Sequence, residues 1–134
     1  MSAQIPRPLA VQLLAEAQNS PEQEVCGLIG GVAVIASKIY PITNVSPDPE
    51  SRFEMDPIGQ ITAMRDIRER GTSLWAIYHS HPHSPAKPSR KDLMDAAYPD
   101  SLYLVISLNT EGVLEMRGYR MESGDFSEVS LEIV

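Results

Sequence analysis

Cysteine is nearly absent. Cys26 is the only one in 134 residues, so no internal disulfide can form and a cytoplasmic, reducing setting is expected. Positive charge is scarce too, with 11 Lys and Arg against 18 Asp and Glu and a formal net charge of −7. Affinity for a phosphate backbone comes from clustered Lys and Arg, and the one basic cluster, Lys87, Arg90 and Lys91, is short; nucleic acid is not an expected partner. No run approaches the ~18 consecutive apolar residues of a membrane span, and Met1 to Pro8 has no apolar stretch that would mark a secretory signal. Internal repeats, low-complexity tracts and long linkers are missing as well. What remains is one expected domain spanning 1–134, large enough to bury about two thirds of its unfolded surface without staples.

The periodicity gives nine elements. Leu9, Leu13 and Leu14 with Ala10 and Ala17 form an apolar stripe on a helix from Pro8 to Asn19, stopped by Ser20-Pro21. Two apolar runs, Val25 to Ile29 and Val32 to Ile42, read as a hairpin turning at Gly30-Gly31. A loop covers Asn44 to Ser51. Asp56-Pro57 is an N-cap followed by Pro at the first helical position, and Gly71 suits a C-cap, which predicts a helix from Pro57 to Arg70. Leu74 to Tyr78 is a buried-type strand that runs into His79-Ser80-His81-Pro82. A short helix follows from Pro88 or Ser89 to Ala97, then strands at Leu102 to Leu108, Val113 to Tyr119 and Phe126 to Ile133. In the last, Val129, Leu131 and Ile133 alternate onto one face. The order α-β-β-α-β-α-β-β-β predicts an α/β chain with helices packed on a mixed sheet.

The stretch His79 to Asp92 carries the chemistry. Alternate strand residues face the same way, so His79 and His81 set two imidazoles side by side, and Pro82 ends the strand beyond them. A Pro-rich loop then delivers Asp92 at the start of the next helix. Two His and one carboxylate leave a fourth tetrahedral position open, as a catalytic zinc site requires. Ser89-x-x-Asp92 is equally a helix capping box, a reading that competes for Asp92 but not for Ser89. His83, past the Pro, falls out of the alternation and is expected in solvent. A hydrolytic site also needs an acid–base residue, and local spacing does not choose one among the many Asp and Glu.

His79-Ser80-His81-Pro82, then Pro88-Ser89 and Asp92, is similar to the His-x-His, seven residues, Ser-x-x-Asp signature of the JAMM (MPN+) metallopeptidases. Glu24-Val25-Cys26-Gly27 resembles that family's Glu-x-Cys-Gly segment, and Phe53-Glu54-Met55-Asp56-Pro57 its stretch before the second helix. The resemblance covers most of the chain and implies the JAMM/MPN-type, cytidine-deaminase-like architecture. It implies one Zn2+ per chain on His79, His81 and Asp92, with Glu24 moving a proton from water to the leaving nitrogen. Ser89 would donate to the oxyanion. By the resemblance Cys26 would be a small buried residue on the same strand; apart from it, Glu24 reads as an exposed carboxylate at a strand edge.

The resemblance also implies a substrate, the C-terminal Gly-Gly of a ubiquitin-like or sulfur-carrier protein, cleaved at a peptide or isopeptide bond. The chain resembles the compact prokaryotic branch and lacks room for the ubiquitin-gripping insertions of eukaryotic relatives. A scaffold of the same fold is the alternative, although all metal ligands are kept. Metallo-β-lactamase-type sites want His-x-His-x-Asp-His, and His83 and Ser84 break that pattern; zinc deaminases want a Pro-Cys-x-x-Cys pair, which one cysteine cannot supply. Oligomeric state has no signature in the sequence.

Overall fold

The computed structural model describes residues 2–108 and 115–134. In chain order the elements are β1 (Ala3–Ile5), α1 (Arg7–Gln18), β2 (Cys26–Val32), β3 (Ile35–Ile42), α2 (Pro57–Glu69), β4 (Ser73–His81), α3 (Arg90–Asp95), β5 (Leu102–Ser107), β6 (Glu115–Glu122), β7 (Asp125–Val129) and β8 (Leu131–Ile133). Among the described residues the strands form one sheet in the order β7-β6-β5-β4-β2-β3-β1-β8. The pairs β4–β5, β1–β3 and β1–β8 are parallel and the rest antiparallel, which is the mixed α/β arrangement expected. No helix among the described residues is long and apolar enough to cross a membrane.

A helix lies on each face of the sheet. Ala10, Leu13 and Ala17 of α1 pack with Ile29, Tyr78, Leu102, Leu104 and Ile106. On the other face Ala63 and Ile67 of α2 pack with Leu28, Ile42, Ile77, Tyr103 and Val105. The strand alternation of β4 and β5 sorts cleanly between these two cores: Ile77, Tyr103 and Val105 face α2, and Tyr78, Leu102 and Leu104 face α1. The α2 boundaries follow the capping chemistry. The Asp56 carboxylate accepts from the Gly59 N–H at 3.0 Å, and Gly71 takes φ +71° just past the end.

Several expectations need correction. The hairpin does not turn at Gly30-Gly31; both lie inside β2, and the chain turns at 33–34, where Ala33 has φ 55°. The glycines serve a different need. The β2–β4 ladder shifts register between Ile29 and Gly30, leaving Trp75 as an extra residue, and any Cβ at Gly31 would lie 2.9 Å from the Trp75 side chain. β1 was not anticipated, because three residues are too short to show a period. The third helix is shorter than expected, starting at Arg90 rather than Pro88 or Ser89 and ending at Asp95. Part of the strand expected over Val113 to Tyr119 falls on residues 113 and 114, outside the described residues; the described part begins at Glu115 and runs to Glu122.

The last strand is also two. Ser130 separates β7, paired with β6, from β8, paired with β1, so one nearly continuous stretch joins both ends of the strand order and the sheet curls on itself. The Ser130 carbonyl accepts from the Ala3 N–H at 3.0 Å where the strand changes partner. Val129 and Leu131 pack against the α1-side core as their alternation suggests, but Ile133 is 50% exposed.

Candidate metal centre

β4 lies deep in the sheet between β2 and β5, and its residues from Trp75 to His81 are all buried. Ile77 faces α2, so the two-residue period turns His79 and His81 to the same side. Pro82 follows and the strand stops. The loop 82–89 then folds back so that the His81 Nδ1–H donates to the Pro85 carbonyl at 2.9 Å. A carbonyl only accepts, so in the neutral ring this bond puts the His81 proton on Nδ1 and leaves Nε2 as a lone pair.

Three atoms meet at this point. His79 Nε2 lies 3.0 Å from His81 Nε2 and 3.0 Å from Asp92 Oδ2, and His81 Nε2 lies 3.1 Å from the same oxygen. Both rings are buried. Three acceptor atoms share at most one proton when both imidazoles are neutral, so the triangle is electrostatically incomplete without a cation. Its edges are slightly shorter than the ~3.3 Å between ligands on tetrahedral zinc with bonds of about 2.0–2.1 Å. The donor set therefore fits a metal ion.

Asp92 is placed for both roles weighed for it. Its Oδ2 accepts the Ser89 N–H at 2.8 Å while lying in the triangle, and its own N–H donates to Ser89 Oγ at 3.0 Å. The capping box and the ligand set thus use the same carboxylate, and the cap orients Oδ2 toward the imidazoles. The Ser89 hydroxyl, accepting here, keeps its own hydrogen to donate.

Glu24 completes the group, with one ligand-capable atom from each of Glu24, His79, His81 and Asp92 lying within 4.8 Å of one another. It is not the exposed strand-edge carboxylate of the alternative reading. It is 5% exposed, just ahead of β2, and its Oε1 is buried with no hydrogen-bond partner. Burial pushes its pKa up to about 7; His81 opposes that rise and the Asp92 charge adds to it. An ionisable carboxylate with an unsatisfied oxygen, beside three converging ligands, is poised to exchange a proton near neutrality.

The shifts of the neighbouring groups follow from their burial and from their bonds to one another. Burial opposes ionisation of Asp92, but its bonds with His79 and His81 prevail and hold it well below the usual carboxylate range. Burial lowers His79, keeping it neutral. For His81 burial also pulls downward, and its bonds with Asp92 and Pro85 outweigh it. Cys26 sits opposite His79 in the β2–β4 register, yet burial and the negative charges of Glu16 and Glu24 push its thiol up to about 12. It is no nucleophile. His83 is exposed as expected, with its ring 3.8 Å from the exposed Glu22 carboxylate.

Other residues shape the site without having been singled out. Phe53 stacks on the His79 ring with centroids 4.6 Å apart and planes at 24°. Ser80, between the two histidines, accepts the Val25 N–H at 2.8 Å and so ties β4 to the residue after Glu24. Gly27 lets the Tyr78 ring cross β2: a Cβ there would lie 2.6 Å from Tyr78 Cε2, and the phenol beyond it donates to Glu16 at 2.6 Å. None of these has a local signal, since each acts across strands. A groove of about 360 Å³ opens beside His79 and Asp92, with Phe53, Met55, Ile77, Tyr98 and Tyr103 on its walls.

A mixed sheet clasped by two helices, with two strand imidazoles, a helix-cap carboxylate and a buried glutamate, defines the JAMM class of metal-dependent hydrolase site. The comparisons agree. The chain belongs to the prokaryotic homologs of the JAB domain, whose family profile matches residues 6–121. A curated relative, the desampylase of Haloferax volcanii, is 29% identical over 87% of this chain and 83% of its own length. The CysO-cysteine peptidase of Mycobacterium tuberculosis is 28% identical over 91% of this chain and 84% of its own. A solution structure from Desulfitobacterium hafniense superposes with TM-score 0.87 at 30% identity, covering 98% of this chain and 92% of that one. A structure described as a metalloprotease-like zinc site in the proteasome and signalosome (JAMM) superposes with TM-score 0.62 over 100% of this chain and 99% of that one; at 18% identity it shows the fold alone.

Proposed function

We propose that the chain is a zinc peptidase that hydrolyses a peptide or isopeptide bond at the C-terminal Gly-Gly of a ubiquitin-like or sulfur-carrier protein. The observation that carries this reading is the triangle of His79 Nε2, His81 Nε2 and Asp92 Oδ2 beside the buried Glu24 carboxylate, whose Oε1 has no hydrogen-bond partner. The named activities of the relatives support the substrate class. One Zn2+ per chain, held by His79, His81 and Asp92, would polarise the scissile carbonyl and acidify a water. Two imidazoles and a carboxylate suit zinc over the harder oxygen-preferring cations.

The chain's own residues supply the remaining steps. Glu24, ionised, accepts the water's proton, and its pKa near 7 lets it release that proton to the leaving nitrogen. Ser89 donates its free hydroxyl hydrogen to the oxygen that becomes negative as the carbonyl is attacked. The apolar groove beside His79 and Asp92 accommodates an extended tail, and a tail ending in two glycines brings no side chain against the buried ligands. The single buried thiol of Cys26 suits a reducing compartment, and we place the protein in the cytoplasm as one domain over 1–134.

The test is a panel of ubiquitin-fold carriers fused through Gly-Gly to a short peptide, incubated with zinc-loaded protein. Release of carriers ending in Gly-Gly by wild type and not by Glu24→Gln supports the reading. No cleavage of any fusion by zinc-loaded wild type contradicts it.

A further inference from the structure

Glu24 has no regular structure to hold it. β2 begins at Cys26, two residues later, so the sheet ladder does not set the position of the carboxylate. Three bonds to its peptide groups do so instead. The Glu24 N–H donates to the Pro49 carbonyl at 2.7 Å, the Glu24 carbonyl accepts from Asn44 Nδ2 at 2.9 Å, and the Val25 N–H donates to Ser80 Oγ at 2.8 Å. Asn44 is the only one of these partners whose side chain also holds a second part of the site.

The Asn44 carboxamide makes four bonds. Besides Glu24, its Nδ2 donates to the Arg52 carbonyl at 3.1 Å, and its Oδ1 accepts the N–H groups of Ser46 and Glu54, each at 3.0 Å. The Arg52 carbonyl and the Glu54 N–H belong to the peptides on either side of Phe53, the ring stacked on His79. One side chain thus grips the acid–base residue with one hand and brackets the ring against a metal ligand with the other. An isolated bridge from Asn44 to Met55 and a Val45 N–H to Glu54 carbonyl bond at 2.8 Å close the same loop. Two donors and two acceptors on a short stem are needed. Asp lacks the donors and Ser has one.

Resting on the reading of Glu24 as the acid–base residue, we propose that Asn44 is a positioning residue, fixing Glu24 and Phe53 together relative to the metal ligands. It touches neither substrate nor metal. Its loss displaces the carboxylate while leaving His79, His81 and Asp92, which lie on β4 and α3, able to bind. A misplacement of about 1 Å at a reacting group costs up to ~10²-fold in rate.

Two variants are needed, since Asn44→Ala alone could unfold the loop. Asn44→Asp keeps the shape and the Oδ1 bonds but removes both donors. Each is compared with wild type at a temperature where all are folded, with Ile39→Val on the α1-side core as a control for destabilisation alone. The expected result is wild-type zinc content, a kcat about 10–10²-fold lower in both Asn44 variants with a smaller change in KM, and unchanged kcat in the control. Hydrogen exchange gives a second readout that needs no substrate: the Glu24 amide exchanges faster in the variants while the amides of β5 do not. Unchanged kcat in folded, zinc-loaded Asn44 variants would overturn the proposal. So would loss of zinc, because Asn44 would then act on the ligands. If wild type cleaves no Gly-Gly fusion, the peptidase reading falls, and exchange at Glu24 decides the positioning alone: an unchanged rate refutes it.

Discussion

Replacing Glu24 by Gln separates stability from activity. Burial raises the folded-state pKa from the ordinary 4.5 to about 7, so the native state of the metal-free protein holds this proton where the unfolded chain has released it. Between those pH values stability therefore falls as pH rises, and it levels off above pH 7. At ~1.4 kcal/mol per pH unit the full difference is about 3 kcal/mol, and screening at the mouth of the site brings the part between pH 5 and pH 8 to about 2 kcal/mol. Gln carries no titration, so its variant lacks that slope. The assay is urea unfolding in the presence of chelator at both pH values. Wild type is expected to lose roughly 1 M in midpoint relative to the variant on going from pH 5 to pH 8. The absolute stability of the variant is less telling, because the new amide N–H groups need acceptors of their own. Equal pH dependence in the two proteins would refute the claim that a buried, unpartnered carboxylate stands beside the ligands. With zinc loaded, the same variant keeps its metal and loses turnover.

Ser89→Ala, assayed on a cleaved Gly-Gly fusion, is expected to lower kcat by roughly 10²–10³-fold if its hydroxyl serves the oxyanion. Zinc content should hold, because the Ser89 N–H to Asp92 bond is a backbone bond that survives the change. Gly27→Ala puts a Cβ against the Tyr40 carbonyl and the Tyr78 ring, separating Tyr78 from Glu16; urea unfolding should show a loss of about 2–4 kcal/mol. Chelation should lower the melting temperature by roughly 10 °C, since zinc at a hundredfold over its Kd adds about 2.7 kcal/mol, and re-addition of zinc should restore it.

How much of this was legible depends on how local each feature is. The His79, His81 and Asp92 set lies within one strand, one loop and one helix start, and strand alternation with a helix cap is enough to point its side chains together. Glu24 has no such local signal. It joins the triangle only because β2 and β4 pair, with Val25 and Ser80 bonded across 55 positions, and only the family resemblance singled it out. The glycines misled for a related reason. Gly30-Gly31 has the composition of a turn, but a Cβ at Gly31 would run into the Ile35 carbonyl and the Trp75 side chain, a demand made by the neighbouring strands. The stretch from Asp125 to Ile133 alternates like one strand, and nothing in its pattern reveals that Ser130 carries it from β6 to β1. Asn44 stayed hidden, and Phe53 was marked only as part of a family stretch, because a loop asparagine and a lone aromatic look alike whether or not they hold a site.

The central claim is that His79, His81 and Asp92 hold zinc. Elemental analysis after gel filtration tests it most directly, comparing wild type with His79→Ala. About one zinc per chain in wild type and none in the variant is the expected result. No zinc in wild type after supplementation, or equal zinc in both proteins, would contradict the account.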